Sequence, residues 1–327
     1  CNERHLVNAS DLVEITGSLR LSFLSSDIST LSFENLAVIG QDLYVADIDT
    51  TTTILSFPSL GNISGSITLS SASIETVELP ALRVCGSLSV SSGSATNLYF
   101  PVLEEVFGAM SFSGSGIRTI ELPSLLVVDG SASFTYLYSM SSIAMPAVKT
   151  IGEGLSISHW CHAEYADTSG SVDIHSLESM GGTFYIYYVN FVSDCFLTIN
   201  ATRLQTLGSL YVDDRGMDFY TIRAGLTELS MPRLTTIQGG LTIMDADTLT
   251  TASFDSLTTI QGQLFLSSVT ALSTLPFGRL TTIQGNLYMN EVSTLTSVAF
   301  DSLTTVEGYL YISGGPLLAT AYFNSLA

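Results

Sequence analysis

Apolar residues recur along this chain in two alternating patterns. Shortly after a glycine comes an apolar, any, apolar triplet whose first member falls at Leu19, Leu43, Ile67, Leu88, Met110, Ala132, Leu155, Phe184, Leu210, Leu241, Leu264, Leu287 and Leu310. A period of two is that of a β-strand, so the first and third triplet residues are expected to face a core. The residue between them, as in Thr242, Phe265, Tyr288 and Tyr311, is then expected to face outward. A second apolar set precedes the glycine at a spacing of three, as in Phe33, Leu36 and Ile39, in Phe100, Leu103 and Val106, and in Phe254, Leu257 and Ile260. That spacing would suit a helix, but Pro58, Pro80, Pro101, Pro123, Pro146 and Pro232 fall directly after the first residue of the set, and β-branched residues crowd the remainder. Proline and β-branching both disfavour a helix there, which leaves an extended or bent segment leading into the strand.

Successive triplets are 24, 24, 21, 22, 22, 23, 29, 26, 31, 23, 23 and 23 residues apart. Near the C-terminal end the repeat is almost literal: LTTIQGGLTI from Leu234, LTTIQGQLFL from Leu257, LTTIQGNLYM from Leu280 and LTTVEGYLYI from Leu303. A fixed short period marks a solenoid whose units bury their apolar sides only by stacking. The expected fold is all-β, a right-handed parallel β-solenoid of about 13–14 coils with a period near 23 residues. It is read as a single solenoid over 1–327, with regular coils over 1–157, irregular loop-bearing coils over 158–208 and highly regular coils over 209–327. The irregular steps place HWCHAEYADTSG and YYVNFVSDC in projecting loops, where function tends to reside, and also fit a junction between two shorter solenoids. Phe323-Asn-Ser-Leu326 repeats Phe300-Asp-Ser-Leu303 with no glycine strand after it. The expectation is that more chain or another subunit completes that coil.

Composition narrows the function classes. Apolar residues make up 46% of the chain and charged ones 12%, yet no apolar run reaches the roughly 18 residues of a membrane span. Net charge is −20, from 30 acidic and 10 basic residues, with Lys149 the only lysine. Phosphate backbones require basic stripes, so nucleic acid is excluded as a partner. Abundant Ser and Thr with almost no lysine point to a hydroxylic surface of the secreted or wall-associated kind. Sequons at Asn8, Asn62 and Asn200 are potential glycan acceptors. The chain begins at Cys1 without Met or a signal peptide, as a processed mature protein would, and a lipid-modified bacterial N-terminal cysteine would look the same.

Gly-x-Leu-x-Ile strands alternating with Phe-x-x-Leu-x-x-Ile segments resemble the receptor L-domain repeats of growth-factor and insulin receptors. They are more similar still to the longer arrays of fungal glycolipid-anchored cell-wall organisation proteins. Asn8-Ala-Ser-Asp-Leu12 followed by Ile15-Thr-Gly-Ser-Leu19 resembles the opening coil of both. Two departures stand out: a single L domain has about half as many coils, and its usual cysteine pair at the first coil is missing. The resemblance implies a right-handed β-helix at an extracellular site, without catalysis, and leaves the ligand undetermined.

Among candidate sites, the outward strand position turns mostly aromatic in the C-terminal half. Tyr185, Tyr211, Phe265, Tyr288 and Tyr311 form a prospective binding or assembly face for a sugar chain or a protein; the alternative is that these rings merely stiffen the sheet. A threonine ladder is expected from Thr235 and Thr236, Thr258 and Thr259, Thr281 and Thr282, and Thr304 and Thr305. It could carry O-linked sugars or order water, or be ordinary β-favouring sequence. Cys161 and Cys195, in loops of adjacent coils, are the expected disulfide, whereas Cys85 precedes a strand glycine and reads as a buried free thiol. His159 and His162 around Cys161 make a weak metal signal, and Asp213, Asp214, Asp245 and Asp247 lack a calcium-loop pattern. No nucleophile elbow, phosphate loop or zinc-protease motif is present, and basic residues are too few for a β-helical polysaccharide lyase. The expectation is no enzyme, no cofactor and no metal. The protein is read as an extracellular, secreted or cell-surface glycoprotein, a structural or adhesive element whose partners are glycans, proteins or further copies of itself. A ligand-binding receptor ectodomain and an end-to-end filament subunit are the alternatives.

Overall fold

The computed structural model describes residues 5–8, 11–22, 28–46, 54–70, 74–160, 169–187, 196–214 and 225–327. Among them there is no helix; the elements are short strands that pair in parallel from coil to coil, so the fold is a β-solenoid with a period of about 23 residues. The chain divides into two compact units, Cys1–Val148 and Lys149–Ala327.

The coil that opens at Leu241 shows how the sequence writes the fold. The triplet forms the strand Leu241–Met244, with Leu241 and Ile243 buried. The chain then turns at Asp245, which takes a left-handed conformation (φ 51°). A turn closed by Leu249 N–H to the Ala246 carbonyl (3.3 Å) leads into Thr251–Ser253. A second turn, closed by Leu257 N–H to the Phe254 carbonyl (3.0 Å), leads into Thr259–Ile260 and the glycine bend at Gly262. Leu249, Phe254, Leu257 and Ile260 all point inward and are fully buried.

The predicted bent segment is this second turn. Its closing bond recurs as Leu36 to Phe33, Leu60 to Phe57, Leu82 to Leu79, Leu125 to Leu122 and Leu234 to Met231. The turn prolines noted in the sequence occupy its second position, where a fixed φ near −65° is favoured and no N–H is required. The left-handed corner also recurs, at Tyr136, His159, Asp245, Ser268 and Glu291, each four residues after the first triplet residue. Gly114 holds the same place in its coil with φ 149°. Nothing in these side chains announces the corner, because only His and Asp among them are common in that region.

Within each unit the core is a set of ladders. In the first, Leu43, Ile67, Leu88, Met110 and Ala132 stack in register, and Phe112 stacks on Phe134 at 5.6 Å. In the second, Phe184, Leu210, Leu241, Leu264 and Leu287 stack in register and are buried, and Leu310 continues the ladder at an exposed position. A phenylalanine column, Phe254, Phe277 and Phe300, stacks face to face at 5.7 and 6.2 Å. Burial of such side chains removes apolar surface at about 25 cal/mol per Å². A ladder of identical shapes needs no adjustment from one coil to the next. The long steps in the sequence fall on 161–168, 188–195 and 215–224, which lie outside the described residues.

Candidate functional site

Parallel in-register stacking turns each sequence position into a surface column, so the candidate sites are columns. In the first unit the outward triplet column reads Arg20, Tyr44, Thr68, Ser89, Ser111 and Ser133, each paired with the next. The Arg20 guanidinium lies over the Tyr44 ring, 4.5 Å from its centroid. Beyond Thr68 the column is small and hydroxylic.

In the second unit the same column reads Ser156, Tyr185, Tyr211, Thr242, Phe265, Tyr288 and Tyr311. The sequence placed Thr242 outward; its register is outward, but only 7% of it is exposed, because the larger Tyr211 and Phe265 flank it. Tyr185 and Tyr211 meet at 5.7 Å with planes tilted by 54°, and the Tyr211 hydroxyl donates to Asp213 Oδ2 at 3.3 Å. Phe265, Tyr288 and Tyr311 behave differently, stacking at 4.6 and 4.8 Å with interplanar angles of 3° and 11°. Tyr288 is therefore covered by a ring on both faces, and Phe265 and Tyr311 each on the face turned toward it. Columns of neutral polar residues border this stack: Gln263, Asn286 and Tyr309 on one side, Ser267, Asn290 and Ser313 on the other. The three strands QLFLS, NLYMN and YLYIS contain no charged residue.

The threonine pairs separate into two columns with different duties. Each first threonine bonds its hydroxyl to the carbonyl of its counterpart one coil earlier: Thr258 Oγ1 to Thr235 O at 3.1 Å, Thr281 Oγ1 to Thr258 O at 2.9 Å, and Thr304 Oγ1 to Thr281 O at 3.0 Å. Thr235 does the same with Gln205 O at 3.1 Å. The second threonines, Thr236, Thr259, Thr282 and Thr305, pair in register on the outer face. This column reaches further than the sequence reading saw, through Thr206, Ser179 and Thr150. The missed signal was the position before the inward Ile151, Met180 and Leu207, which carries a hydroxyl even where the TT pair is lost.

These roles predict an asymmetry. Thr258→Val removes a hydroxyl from its carbonyl partner and is expected to cost about 1 kcal/mol. Thr259→Val, in the outer column, is expected to stay within about 0.5 kcal/mol of the parent. Urea unfolding of the two variants distinguishes them, and equal losses would contradict the division of labour.

Asn62 and Asn200 are exposed, the latter with Nδ2 3.5 Å from Asp173 Oδ1. Asn8 lies in the strand His5–Asn8, and its side chain is outside the described residues. Cys161 and Cys195, the expected disulfide, are likewise outside them, as is His162. Cys85 is a free buried thiol, and burial pushes its pKa up to about 12. The neutral thiol is thus the stable native form. The stability tied to it is intact below the unfolded thiol's pKa and is lost as pH rises toward 12. A thiol-reactive disulfide reagent at pH 8 is accordingly expected to leave Cys85 unmodified in the native protein and to modify it in denaturant. Rapid native labelling would refute the burial argument.

His159 turns the corner after Leu155–Ser158, with Nδ1 3.1 Å from Ser158 Oγ and its ring edge-on to Tyr187. Desolvation lowers its pKa. Trp160 is fully buried, its indole packed on Gly170, where any Cβ would collide with it. Among the described residues no group of three or more His, Cys, Asp or Glu side chains could hold a metal ion. Asp213 and Asp214 are both largely buried, and Asp214 Oδ2 accepts the Leu226 N–H at 3.0 Å.

Comparison of the chain with protein-family models, with curated proteins and with solved structures returns no match.

Proposed function

We propose that this protein is a non-catalytic extracellular glycoprotein, a structural or adhesive β-solenoid element of a cell surface or wall, akin to the receptor L-domain-like repeat proteins it resembles in sequence. One observation carries the reading. The strip centred on Phe265, Tyr288 and Tyr311 is an uncharged, amphipathic surface that repeats with each coil, aromatic along its midline and bordered by amides and hydroxyls. An apolar centre with a neutral polar rim is the general anatomy of a contact surface. Its repetition suits a partner that is itself repetitive, such as a wall polysaccharide. The exposed sequons Asn62 and Asn200 are consistent with passage through a secretory pathway.

The test is co-sedimentation of the purified chain with insoluble cellulose, chitin and β-1,3-glucan particles. Retention on at least one is expected, and Tyr288→Ser combined with Tyr311→Ser is expected to release it without altering the circular dichroism spectrum. A chain that stays in the supernatant with all three, or a double variant retained like the parent, would sink the reading.

A further inference from the structure

In the first unit a groove of about 360 Å³ runs between two outward columns, Ser18, Asp42 and Ser66 on one wall and Arg20, Tyr44 and Thr68 on the other, with Leu43 beneath. That volume lies at the lower end of small-ligand sites. The walls arise from strand geometry, since residues two apart on one strand project from the same face about 7 Å apart.

We infer that this groove is a binding site for a neutral saccharide, one or two sugar units of a larger glycan. The polar groups are set before any ligand arrives. Asp42 is pinned by its backbone N–H to Ser18 Oγ (3.2 Å) and by its Oδ1 to the Ser66 N–H (2.8 Å), which leaves Oδ2 to accept from a ligand. Arg20 is oriented by its stacking on Tyr44. Arg20 and Asp42 form no ion pair with each other across the groove, unlike Arg83 and Glu104 (2.7 Å). A fork of donors therefore faces a carboxylate acceptor, with the hydroxyls of Ser66 and Thr68 beside them.

Vicinal sugar hydroxyls both donate and accept, and so satisfy both walls at once. An anion would satisfy Arg20 but meet Asp42 and a chain of net charge −20. A cation would meet the guanidinium. The aromatic component also fits. One face of Tyr44 is covered by Arg20, while its neighbour on the other side is the small Thr68, so that face has no ring against it. It stands as a wall against which the C–H face of a sugar can pack.

The inference deepens the adhesive reading but uses a different surface. The experiment is calorimetric titration of the full chain with cellohexaose, laminarihexaose and mannohexaose, and with oligogalacturonate as the anionic comparison. At least one neutral hexasaccharide is expected to bind. Asp42→Asn, Arg20→Gln and Tyr44→Ala are each expected to weaken it roughly tenfold, while Ser133→Ala, further along the same column, leaves it unchanged. All four side chains lie on the surface, so unchanged melting curves verify the fold. Absence of binding by every neutral sugar, binding by the oligogalacturonate alone, or full affinity in Tyr44→Ala would overturn the assignment. If the parent chain is still retained on wall particles in any of those cases, the groove is wrong and the adhesive reading survives.

Discussion

Gly262→Val is expected to destabilise the protein by about 3 kcal/mol or more, while Gly278→Ala, only 16 residues away in the sequence, changes stability by less than about 0.5 kcal/mol. The two glycines look alike in the sequence and differ in what surrounds them. A Cβ on Gly262 would lie 2.7 Å from the Gly239 carbonyl carbon, and 2.8 Å from the Gly239 oxygen and the Gly240 nitrogen. These are backbone atoms of the preceding coil, held there by the Gly262 N–H to Gly239 O bond of 2.8 Å. They cannot swing aside as a flexible side chain would. Gly285 meets Gly262 in the same way, at 2.7 Å, so the glycines form a column whose missing side chains set how closely the coils stack. Gly278, in the turn before Leu280, has nothing within 4 Å of its Cβ position. Urea unfolding followed by circular dichroism is the measurement. A tolerated Gly262→Val would mean that the coils are not stacked at this spacing.

Phe277→Ala is the second large effect, an expected loss of about 3–5 kcal/mol. Phe277 is 1% exposed and sandwiched between Phe254 and Phe300, with interplanar angles of 10° and 6°. Removing the middle ring deprives both neighbours of a stacking face and leaves a cavity that the rigid ladder cannot close. Because a solenoid's stability is a sum of coil terms and nearest-neighbour terms, hydrogen exchange is expected to quicken most in the coils bracketing Phe277 and least in the Cys1–Val148 unit. Tyr311→Ala, at a residue 44% exposed, serves as the contrast and is expected to cost under about 1 kcal/mol. Uniform acceleration of exchange over the whole chain would argue against a ladder of local terms.

Much of the candidate surface was legible in the sequence because its period is. Once the triplets are aligned, Tyr288 and Tyr311 must be neighbours, as must Thr259 and Thr282. Other features depend on where atoms lie within the coil. That Thr258 spends its hydroxyl on Thr235 while Thr259 faces outward follows from the bend entering the strand, which a TT pair does not encode. The groove beside Tyr44 was missed because its other wall, Ser18, Asp42 and Ser66, sits one residue before the triplet and shows no common chemistry.

The sequence alone determined the all-β solenoid, its period, the inward ladders and a non-helical, extended or bent segment at the prolines. Each follows from a local rule, alternation for strands and a fixed φ for proline, repeated until no other fold could bury the same residues. The tertiary structure decided which glycines are indispensable, that the first threonine of each pair bonds its hydroxyl to the preceding coil, and that Phe265, Tyr288 and Tyr311 stack face on face while Arg20 covers one face of Tyr44. Those properties belong to contacts between residues some 23 positions apart, at distances set by how closely one coil rests on the next.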